Sequence, residues 1–468
     1  MKKLLALCLC LLLVCGVFAA CNDNVHKELT EDTTDSTAAP AKTATLTALL
    51  STPSQAALWD EIAQSYREKT GVTVRVTTVS ADTYPAALAK QLQGDSAPAI
   101  FEWTADVEDD SLRDLMTDLK GTSFASFLSD PSLALRSGDK VQAVPIDVSV
   151  FGILYNGALC ERYFALKDKG TSYSSMAEIN SFEKLSALAE DMQKHKKDLG
   201  IDGAFAAPAY SGKDGVPWQT ELANVAVYRE ARDKDGALDD LKAFLKDTFD
   251  FTYSDNVQKV LDLTGKNADV DAKTLKTRTL ADARAAFRQG KTVFLLDGTD
   301  ANEVLFSEGS TLKAQQVGLL PLYLGTDGEE TQGLSVRVNR ALAVNDKADA
   351  DTRQAAVDFL EWLFSSEEGK GLVSERLRLR APFSSFAAEE RLNEPLSRTA
   401  LETIGKNDRE SVPEVLDRLL PTEGLERVSD YLLSYLRGER GWDDLMRDVR
   451  ARWKQMWEDG TDLIGKED

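Results

Sequence analysis

Histidine is the side chain best suited to moving protons near neutral pH, and the 468-residue sequence holds only two, His26 and His195. His26 lies in a polar stretch and His195 inside the run KHKK, so a histidine-dependent triad and a two-histidine zinc site are both disfavoured. Asn267, Asp269 and Asp271 alternate oxygen donors, yet Ala272 and Arg278 stand where a calcium loop needs Gly and Glu. No glycine-rich phosphate loop is present, and no cofactor or metal is expected. Paired carboxylates are all that a glycosidase requires, and 77 acidic residues leave that reading open. The other chemistry on offer is recognition. Trp103 follows the apolar run APAIFEW and Trp218 sits in the loop GVPWQ, each suited to stacking on a ligand or to plain burial. Trp59, Trp362, Trp442, Trp453 and Trp457 fall on helical faces and are expected in cores.

The elements that would position such residues begin after a leader. Lys2 and Lys3 precede an apolar run over residues 4–18 and then Ala19-Ala20-Cys21, the order of a secretory signal. The run is shorter than the about 20 residues that span a bilayer. The segment FAAC, residues 18–21, resembles the lipobox of bacterial lipoproteins, with Phe18 where Leu is usual. That resemblance implies cleavage before Cys21 and a lipid on its thiol; ordinary cleavage would leave an exposed free thiol, a liability outside the cell. Cys8, Cys10 and Cys15 leave with the leader, so Cys160 remains alone, expected as buried filler. Residues 22–42 are rich in Asn, Asp, Thr, Ser, Ala and Pro and read as a tether with a reach of roughly 25 Å.

Beyond the tether, 43% apolar content over the chain supports two or three units with sizeable cores. The net charge of -22 argues against nucleic acid and against direct contact with anionic headgroups. Residues 45–50 form a β-prone run, 56–69 an amphipathic helix closed by Gly71, and Val72, Val74 and Val76 a half-buried strand. A helix over 86–93, a strand over 97–103 and a helix marked by Leu112, Leu115 and Leu119 follow. This β-α-β-α-β order implies an α/β fold with a parallel sheet, whose ligand crevice lies at the carboxyl ends of the strands. Further on, Asn180 with Glu183 and Asp351 are expected to cap helices, 293–296, 317–320 and 340–345 are strands, and the tail after Pro413 is helical.

Four segments, PAIFEW (98–103), VPIDVSVFGILYN (144–156), AFRQGKTVFLLDG (286–298) and SEEGKGLVSE (366–375), follow one another across residues 44–390. In that order they together resemble the extracellular solute-binding proteins of carbohydrate ABC importers, the maltodextrin-binding-protein-like family. The resemblance implies a two-lobed periplasmic-binding-protein-like fold with a hinge and an interlobe cleft. Residues 1–20 are then the signal peptide and 21–43 the lipidated cysteine and tether. Lobe 1 is expected over 44–147 plus 326–346, and lobe 2 over 148–325 plus 347–468. The hinge falls near 147–151, with return crossings near 326–333 and 345–349. The implied function is capture of a sugar or oligosaccharide by lobe closure and delivery to ABC permease subunits, by a monomer held on the extracellular face of the membrane through Cys21.

A sugar shows a C–H face and hydroxyl edges, so its site needs aromatic rings and fixed polar groups. Trp103 and Trp218 are the expected platforms; Glu102, Asp147, Ser149 and Asp297 supply polar partners. Gly333 and Ser335 open the return to lobe 1, where glycine permits close backbone approach, and Thr52 and Gln55 lie past the first strand. Asp297-Gly298-Thr299-Asp300 carries no Trp where many family members have an aromatic, so an acceptor carboxylate is expected there. Binding of another solute class (polyamine, peptide or metal complex) and an extracellular glycosidase are the alternatives.

Overall fold

The computed structural model describes residues 45–94, 96–104, 107, 110–206, 218–234, 238, 241–275, 277–406, 408–416 and 430–459. The chain divides into Met1–Lys42 and Thr43–Asp468, each a separate unit. The leader, Cys21 and the tether lie outside the described residues. Among the described residues no helix is long and apolar enough to cross a membrane.

The second unit is built on one ten-stranded mixed sheet. Its strands are β1 (Thr45–Leu50), β2 (Thr73–Thr78), β3 (Ile100–Trp103), β4 (Leu135–Ser137), β5 (Lys140–Asn156), β6 (Gly203–Phe205), β7 (Thr292–Gly298), β8 (Val317–Leu320), β9 (Gln332–Val344) and β10 (Glu410–Pro413). The order is β2-β1-β3-β9-β5-β7-β6, with β4 and β8 pairing β5 and β10 pairing β9. At the amino-terminal end the expected alternation holds: β1 is parallel to β2 and to β3, and the helix Ala56–Thr70 between them ends on Gly71 at φ 77°. The sheet does not stay parallel, because β9 returns antiparallel to β3.

Two strands are far longer than the five or six residues usual for a strand, and they join the two ends of the sheet. The first half of β5 pairs the last part of β9, Val144 opposite Leu342, while its second half pairs β7 and β8. The register of β5 against β9 is irregular on both sides of Asp147, which places a bulge and added twist at the centre of the crossing. Pleating then sorts the side chains by period two. Ile146, Val148 and Val150 of β5, with Leu334 and Val336 of β9, enter the largest hydrophobic core. That core runs from Leu46, Trp59 and Ile62 at one end to Phe287, Leu295 and Leu319 at the other. A second core around Leu188, Phe205 and Tyr323 fills the carboxyl-side lobe, and a smaller one around Leu49, Tyr84 and Phe101 covers the opposite face of the first lobe.

Several expectations need correction. Leu112 and Leu115 lie in a 3-10 turn, Asp110–Leu115, instead of a longer helix. Ser181, not Asn180, caps Phe182–Lys194, and Asp349, not Asp351, caps Ala350–Ser365, because only those residues precede the first helical turn with side chains that accept from its N–H groups. The block 347–468 is not all second lobe: Phe359 and Trp362 of Ala350–Ser365 pack on Tyr66, at ring-centroid separations of 5.0 Å (Tyr66–Phe359) and 5.0 Å (Tyr66–Trp362). The return crossing lies inside β9 instead of in loops at its ends.

Candidate functional site

Three charged clusters line up along the junction. On the first-lobe side, Glu102 is fully buried, and its carboxylate accepts from Ser51 N–H and from Arg340 Nε. Arg340 Nη1 also donates to Gln55 Oε1 at 2.9 Å, and Gln55 Nε2 donates to Leu377 O at 3.0 Å. Tyr84 OH accepts from Glu102 N–H at 2.9 Å, and burial pushes its phenol far up. Glu102 and Gln55, expected as ligand partners, therefore engage Ser51, Arg340 and Leu377, and the charges of Glu102 and Arg340 require each other once dehydrated. Thr52 caps the short turn Pro53–Gln55. Trp103 is half-buried and packs against the core around Leu49, Tyr84 and Phe101.

At the crossing itself, Asn339 Nδ2 donates to Asp147 Oδ2 at 3.1 Å and to Ser149 Oγ at 3.0 Å, so both residues stand on one face of β5. Arg380 ties this face together. Its backbone N–H donates to Asp147 Oδ1 at 2.8 Å and its Nη1 to Asp300 Oδ1 at 2.7 Å. Burial alone would lower the guanidinium pKa, but Asp147 and Asp300 hold it above its ordinary value. Ser149 Oγ donates to Asp300 Oδ1 at 3.3 Å, and Val150 N–H to Thr299 Oγ1 at 3.1 Å.

On the second-lobe side, Asp297 is 1% exposed and receives Arg284 through two bonds, Nε at 2.7 Å and Nη2 at 3.0 Å, plus Gly298 N–H at 2.8 Å. Burial pushes its carboxyl up against the pull of that guanidinium. Gly298 is required because a Cβ there would lie 2.1 Å from Val150 O, where β7 presses on β5. Gly333 serves a similar end: its Cβ would meet Glu410 O at 2.8 Å, so the close approach expected there is to β10.

Beside Asp297 and Asp300 opens a small cleft with about 30 Å³ of free space. Ser149, Asp297 and Ser335, all expected site residues, line it, together with Phe151, Glu221, Asp300 and Arg337. Arg337 Nη2 donates to Glu221 Oε1 at 3.1 Å and lies 3.7 Å from Glu414 Oε2. Ser335 is buried, and its Oγ has no hydrogen-bond partner among the described residues. Trp103, Glu102, Thr52, Gln55 and Gly333 do not line this cleft. Trp218 opens the helix Trp218–Arg232 instead of sitting in a loop, and its side chain lies outside the described residues. The missed residues Arg337 and Asn339 follow Ser335 at spacing two in SVRVN, a strand signal that marks one face once β9 is seen to begin before residue 340.

A larger cavity, about 100 Å³, lies within the second lobe between Phe249, Phe251, Tyr431, Trp442 and Trp453. Its lining carboxylate, Glu230, is engaged by Asp250 N–H, Thr252 N–H and Lys234 Nζ, so this space lacks the converging polar groups of the cleft. Cys160 is buried with its thiol pushed up, as befits filler.

The two-lobed architecture and the polar cleft at its strand crossing are those of a solute receptor. Residues 61–393 match the model of the bacterial extracellular solute-binding protein family, and the chain belongs to that family. A family 1 extracellular solute-binding protein from Bifidobacterium longum subsp. infantis is similar in structure, with a TM-score of 0.63 at 17% identity, covering 88% of this chain and 99% of its own. RafE from Streptococcus pneumoniae gives 0.61 at 13% identity, over 89% of this chain and 99% of its own. The bacterial solute receptor AcbH, described as preferring β-D-galactopyranose exclusively, gives 0.62 at 15% identity, over 89% and 97%. No curated protein matches the sequence.

Proposed function

We propose that this extracellular solute-binding protein captures a sugar in the cleft at the β5–β9 crossing, closes its lobes on it, and presents it to an ABC importer while held to the membrane by a lipid on Cys21. The observation that carries the sugar site is the pair of crossing strands. Each sends valines into the core from one face and hydroxyl, amide or guanidinium groups from the other, so that Ser149, Ser335, Asn339 and Arg337 gather where the lobes meet. Fixed polar groups around hydroxyl edges, with Phe151 beside them, suit a carbohydrate. Contacts made by both lobes only in the closed form would shift the population toward closure. The sugar preference of AcbH supports the same ligand class.

A thermal-shift screen of the full chain against mono- and oligosaccharides, polyamines and peptides tests the proposal. Sugars alone should raise the melting temperature by mass action. A response confined to polyamines or peptides contradicts it, and product formation from an oligosaccharide would make the protein a glycosidase.

A further inference from the structure

We infer that the sugar this cleft selects carries a protonated amine, an inference that rests on the sugar-binding reading above. The cleft is lined by three carboxylates, Glu221, Asp297 and Asp300, and by one guanidinium, Arg337. Among the described residues, Arg337 lies between Glu221 and Glu414, Arg380 between Asp147 and Asp300, and Arg284 faces Asp297 through two bonds. With five carboxylates set against three guanidiniums among the described residues, an acidic sugar would enter a field of its own sign, which the net charge of -22 reinforces.

Among the described residues, Asp300 and Ser335 offer unengaged polar atoms to a ligand. Asp300 has a side chain 59% exposed, and its bonds to Arg380 and Ser149 both fall on Oδ1, while Oδ2 makes none among the described residues. Ser335 is 3% exposed, lines the same cleft, and its Oγ is unpartnered among the described residues. A buried hydroxyl without a partner is costly unless a bound group or water completes it. An ammonium brings three donors and no acceptor, matching a carboxylate oxygen and a hydroxyl lone pair.

Titration calorimetry of the full chain tests this with matched probes: hexose, hexosamine, N-acetylhexosamine and hexuronate, each in the gluco, galacto and manno configurations. In the best configuration the hexosamine should bind roughly fivefold tighter than the neutral hexose, with the uronate weakest. Asp300→Asn keeps an oxygen for Arg380 and should cost the hexosamine several-fold more affinity than it costs the neutral hexose. Raising the pH above about 8, near the range of an α-amino group, should erase the preference in the unsubstituted protein. Equal affinity for hexose and hexosamine, tightest binding of the uronate, or an equal loss for both sugars in Asp300→Asn overturns the inference while leaving sugar capture intact. Failure of every sugar to bind overturns both.

Discussion

Asp297 and Glu102 show how a residue's type can be read correctly and its duty misread. Each was legible as a carboxylate at the end of a strand, where a crevice opens, and each is there. Each is also bound by a guanidinium, because Arg284 and Arg340 approach from elements 13 and 238 residues away, a pairing that no local pattern encodes. Glu102→Ala should therefore destabilise the protein by about 3–5 kcal/mol, the cost of stranding a buried guanidinium, as read from urea unfolding. Ser335→Ala belongs to the opposite kind. It removes an unpartnered hydroxyl, so unfolding should change little, while sugar affinity falls by about 1 kcal/mol, or roughly fivefold. Calorimetry on the two variants separates the support of the site from the site. An intact affinity in Ser335→Ala would remove that hydroxyl from ligand binding.

At the scale of elements, local periodicity announces the first βαβ segment well, since β1, the helix Ala56–Thr70 and β2 each follow a single pattern and Gly71 closes the helix. What periodicity could not show was the length of β9 and the existence of β10. β9 begins with Gln332 and Gly333, poor strand formers that hold their place through β10, and a four-residue strand such as Glu410–Pro413 carries too little pattern to declare itself. The cap of Ala350–Ser365 was misplaced by two residues because Asp349 and Asp351 are both good caps and only the backbone decides between them. Asp349 accepts from Thr352 N–H at 2.9 Å, and this bond lowers its pKa; Asp282, held by the Thr279 hydroxyl, is lowered too. A carboxylate whose folded pKa is depressed adds stability that is fully present above its unfolded value, about 3.9, and is lost as the pH falls through the folded value. The melting temperature should accordingly gain nothing from these caps on moving from pH 6 to pH 5 and lose their contribution below about pH 4. Asp349→Ala should lower stability at pH 7 and flatten part of the acid limb. An acid limb unchanged by the substitution would show that the cap contributes nothing.

For the whole molecule, the decisive feature is that one core passes behind the crossing while the polar cleft opens in front of it. The register irregularity at Asp147 is where the proposed closure would bend the strands, and Arg380 bridges Asp147 and Asp300 there. Gly298→Ala would drive a methyl into Val150 O at this point, and an overpacked contact of that kind costs about 1–3 kcal/mol. The variant should bind sugar more weakly as well as melt earlier; a melting temperature equal to that of the unsubstituted protein would show that the strands adjust freely. The proposed anchor has its own test, since Cys21→Ala should release the protein from the membrane fraction into the medium, whereas retention would mean that something other than a lipid on this thiol holds it. The central claim is capture by closure, and small-angle X-ray scattering of the full chain, with and without a saturating amount of the sugar that raises its melting temperature most, tests it most directly. The account predicts a smaller radius of gyration with sugar bound, and an unchanged radius at saturation would contradict it.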